Sequence, residues 1–82
     1  MSHTSHELAE EFPGRIDTIH DLKTKTRYFA RLAEEYHRIN RTIHRAETGV
    51  EPTDPTRKTN LRKCRVALKD DIAKLLDRAS QA

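Results

Sequence analysis

From Leu22 to Glu47 the chain reads LKTKTRYFARLAEEYHRINRTIHRAE, and this stretch decides the fold. Leu22, Phe29, Tyr36 and Ile43 recur every seven residues, and Leu32, Ile39 and Ala46 stand three residues after the last three of them. Alternating steps of four and three keep apolar side chains on one stripe of an α-helix; a strand would need alternation at every second residue. The stripe is an a/d seam of the coiled-coil kind. Lys25 takes a seam position and interrupts it early. No Pro or Gly lies between Arg15 and Glu47, so the spacing predicts one helix over about 15–47. At 1.5 Å per residue it would be roughly 50 Å long.

Working outward, Gly49-Val-Glu-Pro-Thr-Asp-Pro55 marks a loop over 48–54. Gly49 suits a helix C-terminus, and Asp54 followed by Pro55 suits the start of the next helix. That helix is expected over about 55–79, with Leu61, Cys64, Leu68, Ile72 and Leu75 on one face and Leu76 on its flank. Upstream, Thr4 and Glu7 have the spacing of a capping box, predicting a short helix over about 5–12 that carries Leu8, Ala9 and Phe12. Ile16 and Ile19 lie off the long seam, where they would receive that short helix.

A loop this short forces the two long helices to run antiparallel. The expected fold is therefore all-α: a single domain over 1–82, built as an antiparallel, coiled-coil-like helical hairpin with a short N-terminal helix. Two helices give a thin core for so small a chain. One partner helix could not cover Phe29, Tyr36, Val66 and Leu76 together. The chain is therefore expected to self-associate, with a dimer that completes a helical bundle favoured. The competing arrangement is a monomeric hairpin closed by the N-terminal helix folding back.

Composition agrees. Ala, Glu, Lys, Leu and Arg supply 38 of 82 residues, close to the roughly 50% typical of long helices. Leu, Ile, Val and Phe supply only 16, so order depends on gathering them into seams. Two Gly and no Trp argue against a turn-rich β domain, and one cysteine excludes an intrachain disulfide. No apolar run approaches the ~18 residues of a membrane span, so no membrane partner is expected. Met1 to Glu11 is polar and acidic, without the apolar core of a signal peptide. With a lone Cys64, this points to the reducing cytoplasm.

Phe12-Pro13, Asp17, Ile19, Leu22-Lys23, Phe29, Leu32, Tyr36, Ile39-Asn40, Ile43 and Glu47, followed by Leu68-Lys69-Asp70-Asp71-Ile72 and Leu75-Leu76, form an ordered set. The set resembles the YdcH family over about residues 6–76. The resemblance implies a small bacterial cytoplasmic protein of uncharacterised function, forming a helical hairpin or coiled coil. It supplies no catalytic residue. There are departures: Gly14-Arg15 stands where members have Glu-Tyr, Thr26 and Tyr28 replace an Asp-x-His pair, and Asp71 replaces Glu.

Little in the chain reads as catalysis. His3 and His6 are three apart near the terminus; His37 and His44 are seven apart on the outward face of the long helix, not the i,i+4 spacing of a helical metal pair. His20 stands alone. Solvated histidines and no metal or other cofactor are the expectation. Glu10-Glu11, Glu34-Glu35 and Asp70-Asp71 are sequence neighbours and do not face each other across a site. A rod of two helices offers no obvious cleft for nucleophile, base and orienting group, so no enzyme activity is expected. Cys64, between Leu61 and Leu68, reads as a small buried hydrophobe; Lys63 and Arg65 beside it carry the competing reading of a reactive thiol.

Charge distribution is more informative than the net +3. Arg57, Lys58, Arg62, Lys63, Arg65 and Lys69 occur between residues 57 and 69 without an acid, and the hairpin would bring them toward Arg38, Arg41 and Arg45 at its loop end. These nine side chains are the candidate contacts for an anionic partner, an acidic protein or nucleic acid. The competing reading is a solvated basic face. Leu22, Phe29, Leu32, Tyr36, Ile39, Ile43, Leu61, Cys64, Leu68, Ile72 and Leu75 are the candidate core or oligomer seam. The functional expectation is a non-enzymatic interaction or adaptor protein that self-associates through these seams. The alternative is an RNA- or DNA-binding accessory protein using the basic loop end.

Overall fold

Residues 6–49 and 54–81 are described by the structure, a computed structural model, and every element among them is helical. His3, Thr4 and loop residues 50–53 lie outside the described residues. Leu8–Glu11 forms a single turn, α1, with Glu10 and Glu11 in the N-terminal turn, where the helix dipole favours negative charge. The short helix expected over 5–12 is thus confined to 8–11 within the described chain. Pro13 then opens a 3-10 turn over Pro13–Arg15, at a position where its missing N–H is not needed.

The helix expected over 15–47 is divided. Helix α2 spans Ile16–Lys25, α3 spans Arg27–Glu47, and Thr26 between them is extended, with φ −124° and ψ 111°. A single residue closes one helix and opens the next: the Thr26 N–H donates to the Leu22 carbonyl at 2.8 Å, and its own carbonyl accepts from the Ala30 N–H at 3.0 Å. Thr is β-branched and tolerates extended backbone well; its hydroxyl makes no capping hydrogen bond to α3. The break falls next to Lys25, where the seam was already interrupted. It turns α2 back against α3 and α4, so that Ile19 joins Leu8, Phe29, Ala33, Tyr36, Ile72 and Leu76 in one buried cluster.

Helix α4 spans Pro55–Gln81. Asp54 caps it, its Oδ1 accepting from the Arg57 N–H at 2.9 Å. At the end of α3, Gly49 takes φ +79°, the left-handed conformation that glycine adopts without strain. Along the α3–α4 contact, Glu47 stands beside Arg62 and Asn40 beside Arg65. At the other end Phe29 shares a surface hollow with Leu75, Arg78 and Ala79. Numbers fall on α3 as they rise on α4, so the two helices run in opposite directions. The molecule measures 43 × 27 × 19 Å. The long dimension matches the ~40 Å of a 27-residue helix. The width exceeds the ~20 Å of a bare helix pair because the N-terminal elements lie against it.

Those elements change the account of the seam. Phe29, Tyr36, Ile39, Ile43, Ala46, Ile72 and Leu76 are buried within one chain, while Leu22, Leu32, Leu61, Leu68 and Leu75 are half-buried. One partner helix does not suffice, as expected, but α1 and α2 supply the remaining cover; Val66 alone of the four difficult residues stays exposed, at 57%. Cys64 is also exposed, against its expected place in the seam. The inner face of α4 steps through Leu61, Arg65, Leu68 and Ile72, and Cys64 falls one residue to the side. Arg65 fits that rhythm because its long stem lies over apolar surface while its guanidinium reaches a polar partner.

Candidate functional site

Two surfaces collect polar chemistry. The first is a cleft of about 80 Å³ lined by His6, Asn40, Ile43, His44, Glu47 and Arg65. Asn40 is buried at the middle of α3, and its Oδ1 accepts from Arg65 Nη1 at 2.9 Å. Arg62 bonds Glu47 at 3.0 Å on the rim. The N-terminal segment bounds the cleft on the other side. Tyr36, fully buried, donates its hydroxyl to the His6 carbonyl at 2.6 Å. Burial pushes the Tyr36 phenol up to about 12, with Glu11 nearby acting in the same direction. His6 itself sits at φ +63°, a left-handed conformation held by this bond and by its N–H donating to Glu10.

Acidic residues of this segment meet basic side chains, most of them on the helices. Glu7 Oε2 lies 2.7 Å from His37 Nδ1, and its Oε1 is 3.9 Å from Arg41. Glu11 lies 3.1 Å from His6 and 3.3 Å from Lys69, whose ammonium also stands over the Phe12 ring. Burial works to raise the Glu11 carboxyl, but hydrogen bonds from His6 and Lys69 outweigh it and hold Glu11 below the usual carboxylate value. Arg15 joins Asp77 at 2.5 Å. The segment is an acidic brace laid over a basic surface.

The second surface is the outer face of α4 near the loop, where Thr59, Arg62, Lys63 and Val66 line an open, mainly apolar depression. Arg62 and Lys63 flank the exposed Val66 with positive charge.

The nine candidate anion-binding residues therefore divide. Arg38 bonds Glu35, Arg41 meets Glu7, Arg45 meets Thr42, Arg62 meets Glu47, Arg65 meets Asn40 and Lys69 meets Glu11. Among the described residues, the side chains of Arg57, Lys58 and Lys63 have no carboxylate partner. The structure does not bring all nine into one free edge; the brace and Glu47 occupy several of them. Sequence reading overlooked the brace, Asn40 as a buried polar group, and Arg65 as a seam residue. The signal for Arg65 was present, since Leu61-Arg65-Leu68-Ile72 keeps the heptad rhythm as well as the path through Cys64.

Among the described residues no three His, Cys, Asp or Glu side chains group as metal ligands, and no helix is long and apolar enough to cross a membrane.

A family model described as a protein of unknown function (DUF465) matches residues 29–76. The chain belongs to this family, the YdcH-family domain. The DUF465 match begins at Phe29 and ends at Leu76, both fully buried, so the shared unit is α3 with most of α4, and the acidic brace and α2 lie outside it. It indicates no enzyme family. No curated protein and no solved structure matches the chain.

Proposed function

We propose that this DUF465 protein is a non-enzymatic interaction protein: a helical hairpin, held shut by its N-terminal brace, that presents the loop-proximal outer face of α4 to a macromolecular partner. One observation carries the reading. Val66 is exposed within an apolar depression rimmed by Arg62 and Lys63, on a helix whose other large apolar side chains are buried or half-buried. The reading places the protein in a reducing cytoplasm, where the exposed thiol of Cys64 persists unpaired. The apolar seam serves folding, and partner contact falls to the outer face.

The test is retention of host macromolecules by immobilised protein, wild type against Val66→Asp. At least one retained species should disappear with the variant while its helical circular dichroism and melting are unchanged. Identical retained sets would sink the reading.

A second reading has its own observation: the side chains of Arg57, Lys58 and Lys63 lack carboxylate partners among the described residues. A phosphate-binding edge built on them would bind RNA or duplex DNA without base preference and weaken as salt rises. Replacing all three with Gln should abolish such binding, and absence of binding by wild type at low salt would exclude it.

A further inference from the structure

We infer that the partner on this face is a second copy of the chain, docked antiparallel across a two-fold axis at Val66. The inference rests on the proposed role of the α4 outer face and names its occupant.

Thr59, Lys63, Val66, Asp70 and Ala73 follow one another at steps of four, three, four and three, so they form a single stripe about 21 Å long down the outside of α4. The first four are exposed and Ala73 is half-buried. The stripe ends where Asp77 is taken up by Arg15. It is short, with Val66 and Ala73 as its apolar side chains, so the contact is modest and its specificity rests on charge.

The charges are arranged for a two-fold. Lys63 stands three residues before Val66 and Asp70 four after it. An isologous contact centred on Val66 lays Lys63 of each copy against Asp70 of the other, twice by symmetry. Neither residue has an ion-pair partner among the described residues, although Lys74 lies four residues from Asp70. A parallel docking is disfavoured by the same pattern. Residues 57–69 hold six cations and no acid, while Asp70 and Asp71 follow directly, so parallel copies would set cations against cations. In that register the two Val66 side chains meet beside the axis, and the depression lined by Thr59, Arg62, Lys63 and Val66 faces Asp70 and Ala73 of the second copy.

The experiment is sedimentation equilibrium of the whole chain at low salt. Wild type should self-associate, and the association should weaken with added salt. Lys63→Glu and Asp70→Lys should each weaken it by at least about tenfold, because each sets two like-charged pairs across the axis. The combined Lys63→Glu/Asp70→Lys protein should regain the wild-type association, and so should an equimolar mixture of the two single variants. Circular dichroism verifies that each variant is folded, and Lys63→Gln and Asp70→Asn repeat the test should a reversal unfold the chain. Wild type remaining monomeric, or a combined variant no tighter than the singles, would overturn the inference. If that happens while Val66→Asp still loses a retained macromolecule, the surface stands and the second copy falls; if Val66→Asp changes nothing either, both fall.

Discussion

Asn40 and Arg65 form the buried polar step in the contact between α3 and α4, with the Glu47–Arg62 pair nearer the loop. A buried amide left without its partner costs more than the bond itself contributes, because the water it lost on folding is not restored. Asn40→Ala removes the acceptor and leaves the Arg65 guanidinium over apolar surface. It is expected to destabilise the protein by about 1–3 kcal/mol, read from urea unfolding. Cys64, one residue away, has the opposite character. Being exposed, it should react with an aromatic thiol reagent at nearly the same rate in the native and the denatured protein; strong native protection would contradict its position. This pair also shows what the sequence leaves open. Steps of three and four both keep to one helix face, so hydrophobicity alone selects Cys64 over Arg65. The choice is reversed by Asn40 on the facing helix, a pairing no local pattern displays.

At the scale of elements, the two long helices of the expected hairpin were legible because apolar residues recur at helical spacing and because Asp54-Pro55 marks a clear start. The division at Thr26 was signalled only weakly, by Lys25 on the seam and by threonines at 24 and 26. What decides it is Ile19, which reaches the core only if α2 turns back. The brace was less legible still. Glu7 and Glu11 show no long-range role in the sequence until folding sets them over His37, Arg41 and Lys69. Its ion pairs predict an acid dependence. Glu11 has a lowered pKa, so its stabilising effect is present above its unfolded value of 4.5 and is lost as pH falls through the folded one. Glu11 is half-buried and its partners are partly solvated, so the effect is modest. Wild type should lose more stability than Glu11→Gln over that descent, measured by denaturant midpoints at a series of pH values. Parallel losses would show that Glu11 is not engaged.

For the whole molecule, the decisive matter is where the seam closes. Phe29, Tyr36, Ile72 and Leu76 are fully buried by elements of their own chain, which predicts that folding needs no second copy and leaves the outer face of α4 for the proposed assembly. An obligate dimer without a folded monomer behaves otherwise, since its stability is inseparable from protomer concentration. The most direct measurement is thermal unfolding of wild type, followed by circular dichroism through a long dilution series. Below the concentration at which copies associate, the midpoint should become constant, with helix content intact. A midpoint that keeps falling with every dilution, together with loss of helix, would mean that the seam is completed between chains.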